Sequence, residues 1–153
     1  MAIYFFDTSA LVKRYVNETG TGWVTAIVDP AAGNELWLAR VTGVEVVSAI
    51  ARRQRGGSIA AADAITALAD FRHDLANQYL AVEITSALIT HAMTLAETHA
   101  LRGYDAVQLA AALEVNGRYL ALGLSLTMVS ADAELNAAAT LEGLTVEDPN
   151  AHP

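Results

Sequence analysis

A chain of 153 residues, 54% of them hydrophobic, is long enough for one domain with a real core and too short for two comfortable ones. The absence of cysteine excludes disulfides, thiolate metal sites and a cysteine nucleophile, and a formal charge of −8 argues against a broad basic face for non-specific nucleic-acid binding. The longest later apolar run, residues 120–129, falls short of the ~18 residues of a membrane span, and the N-terminal run has no basic segment before it, so a cytoplasmic protein with no membrane segment is expected.

Residues 2–6 read as a short strand buried on both faces, stopped by Asp7 and followed by Thr8 and Ser9, which can cap a helix starting near Ala10. Residues 18–22 form a loop, and a helix over about 23–28 ends at Asp29-Pro30. A second strand is expected at 35–39. Thr42-Gly43-Val44-Glu45 then opens a helix that runs through Arg52, Arg53 and Arg55 to Gly56-Gly57. Another helix covers about 58–77, with Ala61, Ala64, Leu68, Phe71 and Leu75 as its core face.

Residues 79–84 give a third strand, 86–100 a helix, 101–104 a short connection and 105 to about 116 a further helix. A fourth strand at 124–129 ends at Ser130-Ala131-Asp132, where the last helix begins. That helix stops at Gly143, before a final strand at 144–146. Strands alternating with helices predict βαβ units and a mainly parallel sheet flanked by helices, the α/β class, with residues 1–148 as a single domain and 149–153 as a short tail.

Four acids stand at the junctions of these elements. Each has an ordinary local explanation. Asp7, Asp105 and Asp132 suit helix caps or first turns, and Thr42-x-x-Glu45 is a capping-box pattern. Their joint placement asks for more. In a parallel sheet these junctions fall at one end, beyond the carboxyl ends of the strands, where ligands bind. Converging carboxylates repel and have raised pKa values unless a cation fills the space. Hard oxygen ligands without His or Cys suit Mg²⁺ or Mn²⁺, and such clusters typically carry out phosphoryl transfer with a metal-activated water. His73, His91, His99 and His152 show no metal-ligand spacing, and no G-x-S-x-G, Walker A or G-x-G-x-x-G is present.

The residues Ile3-Tyr4-Phe5-Phe6-Asp7-Thr8-Ser9-Ala10-Leu11-Val12-Lys13 resemble the opening motif of PIN-domain ribonucleases, and more narrowly of the VapC-type toxins of bacterial and archaeal toxin–antitoxin pairs. Glu45, in Thr-Gly-Val-Glu-Val-Val-Ser-Ala, fits the second acid of that family. Residues 101–112 fit the third-acid motif, and Val129-Ser130-Ala131-Asp132 fits the fourth, with Ser130 where threonine is commoner. The resemblance runs in order over nearly the whole chain.

It implies a three-layer α/β/α sandwich with a parallel sheet of four or five strands. It also implies an Mg²⁺- or Mn²⁺-dependent endoribonuclease inhibited by a small cognate antitoxin, usually as a homodimer. By position, Asp7, Glu45, Asp105 and Asp132 would hold metal, with Ser130 in support. Thr8 or Ser9 would orient the Asp7 carboxylate or a metal-bound water. Lys13, Arg14, Arg52, Arg53 and Arg55 would steer RNA, although the arginine triplet also suits a solvated helix end. Trp23, Ile27 and Trp37 would either form the homodimer contact or complete the monomer core. A catalytically silent RNA- or protein-binding module of the same fold would have broken acids, and none is missing here. A DNA-acting nuclease of related fold would carry long insertions and a basic face. A short reading frame just upstream would separate a toxin from a housekeeping nuclease.

Overall fold

Five strands, β1 (Ile3–Phe6), β2 (Glu35–Ala39), β3 (Tyr79–Val82), β4 (Thr127–Val129) and β5 (Thr145–Glu147), form one sheet in the computed structural model, which describes residues 1–153. Their order is β3-β2-β1-β4-β5 and every neighbouring pair is parallel. Parallel pairing needs crossovers, and helices supply them: α1 (Thr8–Leu11, continued by a 3₁₀ turn at Val12–Arg14), α2 (Thr21–Val28), α3 (Thr42–Arg55), α4 (Ala61–Asn77), α5 (Ser86–His99), α6 (Gly103–Leu120) and α7 (Ala133–Leu141).

The period of two along each strand divides the core into two layers. Ile3, Phe5 and Met128 pack with α5, α6 and α7 on one face, while Phe6, Leu36 and Leu38 pack with α1 to α4 on the other. This is the expected α/β/α sandwich, and it explains why β1 is apolar without alternation: both its faces are covered. Helix α6 is enclosed on most sides, and the fully buried Ala110, Ala111 and Ala112 let neighbouring elements approach it closely. At its far end the buried Asn116 accepts a hydrogen bond from the Leu126 amide at 3.1 Å, which ties the helix to the approach to β4.

Several boundaries differ from the sequence expectation, each for a local reason. Helix α4 starts at Ala61 and not near Ser58, because the Ser58 amide and hydroxyl both donate to the Arg53 carbonyl and close α3. Helix α6 runs four residues past Asn116, since that side chain is committed to Leu126 and Tyr119 packs edge-on against Trp37. Strand β3 stops at Val82, and Thr85 caps α5 by accepting from the Leu88 amide.

The three residues considered for a dimer contact serve the monomer. Ile27 is buried, Trp23 stacks on His152 with ring centroids 4.3 Å apart, and the Trp37 indole donates to Glu35 and to the Tyr119 hydroxyl. His152 belongs to the last five residues, which turn back through a 3₁₀ helix at Pro149–Ala151 and pack on α2, with Pro149 buried.

Gly20 permits that packing. It has φ +87°, and a Cβ there would lie 2.3 Å from the Pro149 carbonyl oxygen. Gly20→Ala should therefore cost on the order of 2 kcal/mol or more, from left-handed backbone strain plus the overlap. Gly33→Ala, at φ +66° in open space, should cost only ~1 kcal/mol. Urea denaturation of the two variants measures the difference, and equal losses would mean that the Pro149 contact is unimportant.

Candidate active site at the carboxyl edge of the sheet

The strand order reverses between β1 and β4, so the carboxyl ends of these two strands open a crevice at the switch point. Asp7 leaves β1 there with 4% of its surface exposed. Its Oδ1 accepts from the Ala10 amide at 3.0 Å, which caps α1. The Ser9 hydroxyl lies 2.7 Å from Oδ1 and 2.9 Å from Oδ2, and the Ser130 hydroxyl donates to Oδ2 at 2.8 Å. Both serines are held in turn: Ser9 Oγ accepts from the Ala131 amide and Ser130 Oγ from the Asp132 amide. Of the two hydroxyls expected to orient Asp7, Ser9 makes the bond. Thr8 Oγ1 is buried without a partner.

Asp132, the residue before α7, accepts from the Glu134 and Leu135 amides and is a true cap. Glu45 and Asp105 are not caps. Helix α3 begins at Thr42 with no side-chain cap, and the capping box does not form. Instead Gln108, on α6, donates from Nε2 to Thr42 Oγ1 at 2.9 Å and to Glu45 Oε1 at 3.1 Å. Helix α6 begins two residues before Asp105, leaving this acid half-buried in the first turn with its carboxylate uncommitted.

The acids sense one another. Burial pushes the Asp7 carboxyl up to about 6 against the pull of the Ser9, Ser130 and Ala10 hydrogen bonds, and the Asp105 charge adds to the rise. Asp105 is also raised, first by burial and next by Asp132, with smaller contributions from Glu45 and Glu134. Only Arg102 opposes these. Glu134 is a fifth acid that the sequence reading passed over. Its signal was an acid in the first turn of the helix that Asp132 caps. Gln108, three residues on from Asp105 and so on its helix face, carried no functional role in the sequence reading.

No three His, Asp or Glu side chains stand where they could together ligate an ion directly. An all-oxygen set with too little positive charge still fits Mg²⁺, which keeps several waters and takes only one or two carboxylates from the protein. The basic residues are less available than the sequence suggested. Lys13 is buried and paired with Glu18 at 3.2 Å, Arg53 also pairs with Glu18, and the Arg14 guanidinium lies over the Tyr15 ring. Arg52 and Arg55 are exposed, and Arg52 borders a groove with Thr8, Glu45 and Tyr104.

This fold, with acids gathered at its switch point, corresponds to a known class: residues 4–141 match the family model described as PIN domain. The chain belongs to the PIN-domain family, in its VapC-type branch. Ribonuclease VapC45 and Ribonuclease VapC49 of Mycobacterium tuberculosis are each 36% identical to it over 118 residues, covering 75% of this chain and 78% of theirs. Among solved structures, PAE2754 from Pyrobaculum aerophilum matches with a TM-score of 0.66 at 21% identity, over 98% of this chain and 91% of its own. VapBC2 from Rickettsia felis, bound to a DNA fragment from their promoter, matches with a TM-score of 0.61 at 12% identity, over 95% and 98%.

The raised carboxyls set a pH dependence for the metal-free protein. Both folded-state pKa values lie above their unfolded ones, so between about pH 4 and 6 folded Asp7 keeps a proton that the unfolded chain has released. Melting in EDTA should therefore rise as pH falls from 7.5 toward 5. Asp105→Asn, which removes a repelled charge and no cap, should raise the melting temperature at pH 7.5. A lower melting temperature for Asp105→Asn, or stability that falls steadily below pH 7, would contradict the repulsion.

Proposed function

We propose that the chain is an Mg²⁺- or Mn²⁺-dependent endoribonuclease and the toxin of a toxin–antitoxin pair, with Asp7, Glu45, Asp105 and Asp132 as its catalytic acids. What supports this reading most is geometry: Asp7 is buried at the switch point and held by three donors, and Glu45, Asp105 and Asp132 come from the starts of α3, α6 and α7. Two relatives named ribonucleases, alike over three quarters of the chain, support the reaction class. A small antitoxin partner is what membership of the VapC-type branch implies.

A divalent cation held by these carboxylates would neutralise charge on the scissile phosphate and lower the pKa of the attacking water toward neutrality. The protein's own part is to hold the acids ready. Asp7 is fixed by Ser9, Ser130 and the Ala10 amide, so it needs no reorganisation to meet positive charge. Gln108 sets the direction of Glu45 through its amide. Asp132 is anchored by two amides at the start of α7, and Asp105 lies in the first turn of α6.

The same reading includes a homodimer. With Trp23, Ile27 and Trp37 committed to the monomer, Ile89 and Met93 of α5 are among the apolar side chains left exposed. Met93 is 68% exposed, so Met93→Glu should leave the fold intact and convert a dimer to a monomer by light scattering. A wild-type monomer at micromolar concentration would refute the assembly.

The catalytic reading is tested on total RNA. Asp7→Asn and Asp105→Asn should each lower Mg²⁺- or Mn²⁺-dependent cleavage by roughly a hundredfold or more, the loss usual when a group that stabilises the transition state is removed, and EDTA should abolish wild-type cleavage. Undiminished cutting by both variants, or in EDTA, would rule out the four-acid metal mechanism.

A further inference from the structure

The groove beside the acids has walls that a metal site does not require. It encloses about 360 Å³ between Thr8 of α1, the Glu45, Ser48 and Arg52 face of α3, and Tyr104 in the first turn of α6. Tyr104 is 64% exposed, a large aromatic surface left to solvent immediately before Asp105. Arg52 is exposed and takes part in no ion pair, whereas Arg53 is committed to Glu18, Arg40 to Glu83 and Arg118 to Glu114. Thr8 Oγ1 is buried and has no hydrogen-bond partner in the chain, an unusual state for a hydroxyl. Glu45 belongs both to this groove and to the acid cluster, so the groove leads directly to the proposed site of cleavage.

An exposed ring, an unpaired guanidinium and spare hydroxyls in one groove are the parts of a subsite for a single unstacked nucleotide. An aromatic face accepts any base by stacking, an arginine takes the phosphate, and hydroxyls meet the edges of base or ribose. We propose that this groove binds one nucleotide of unpaired RNA, with its base on Tyr104, its phosphate at Arg52 and Thr8 hydrogen-bonded to it. The proposal rests on the ribonuclease reading and adds to it the residues that hold one nucleotide beside the acids. In a duplex both faces of every base are already stacked and cannot reach Tyr104.

Binding of a fluorescently labelled unpaired RNA oligonucleotide, followed by anisotropy on the non-cleaving Asp105→Asn protein, tests the subsite apart from catalysis. Adding Tyr104→Ala should weaken binding on the order of tenfold, the usual worth of one base–aromatic stack, whereas Tyr104→Phe should retain affinity. Arg52→Ala should weaken binding and reduce the slope of affinity against salt by about one phosphate contact, and the annealed duplex should bind more weakly than the single strand. Equal affinity for Tyr104→Ala and its parent, or for duplex and single strand, would overturn the subsite. So would an equal loss in Met93→Glu, because Tyr104 would then act through assembly. Failure of the nuclease reading looks different: wild type would leave all RNA intact with Mg²⁺ or Mn²⁺ while Tyr104-dependent binding persists. Cleavage with a KM indifferent to Tyr104→Ala would keep the nuclease and remove the subsite.

Discussion

Asp7 carries its carboxylate at the end of β1 with almost no contact with water, and every neighbour that reaches it offers a donor. Burying a carboxylate costs several kcal/mol unless it is hydrogen-bonded or paired. Three donors offset part of that cost, yet the group still stands at about 6. The balance must come from a proton or from a cation. The same bonds carry mechanical consequences: Ser130 follows β4 and Ser9 accepts from Ala131, so the network fastens the ends of the two strands that flank the switch point. Site and sheet centre are held by the same few atoms.

The remaining acids depend on that edge in a second way. Glu45, Asp105 and Glu134 lie in the first turns of α3, α6 and α7, and Asp7 and Asp132 sit at the starts of α1 and α7. Helix N-termini carry partial positive charge, and each favours a nearby carboxylate by roughly 0.3–1 kcal/mol. A doubly wound fold aims its helix starts at the carboxyl edge of the sheet. It thereby supplies a diffuse positive field where the acids collect. That field tempers their repulsion without cancelling it, since Asp105 remains raised with only Arg102 beside it to oppose the acids.

The layers and the parallel sheet were legible because they follow from local signals: buried runs such as residues 2–6, periodic apolar faces such as Ala64 and Phe71, and punctuation at Gly56-Gly57. The positions of the four acids at the starts of helices were legible because strand–helix junctions in a parallel sheet share an edge. What sequence could not separate was cap from free acid. Thr42-x-x-Glu45 has the spacing of a capping box, but Gln108 arrives from 63 positions away and takes both side chains. Asp105 has the composition of an N-cap, yet α6 begins at Gly103. Lys13 looked like a free cation for the corresponding reason, because the Glu18 that neutralises it lies across a loop. A tertiary contact decides for Glu45, the point where the helix starts decides for Asp105, and a turn of the chain decides for Lys13.

The charge distribution constrains how such a chain can meet a polyanion. With a net charge of −8, its long-range field repels RNA. Of its nine basic residues, Lys13, Arg40, Arg53 and Arg118 are ion-paired within the chain and Arg14 rests on Tyr15. Arg102 stands near Asp105, and Arg52 borders the groove. On the proposed nuclease reading, attraction would act at short range and at one edge, through a cation among the carboxylates, one or two arginines and apolar contact. Few phosphates can be neutralised in this way, so the number of counterions released is small and non-specific adhesion is weak. An acidic surface of this kind makes poor use of nucleic acid in general. It leaves discrimination to what fits against the carboxyl edge of the sheet.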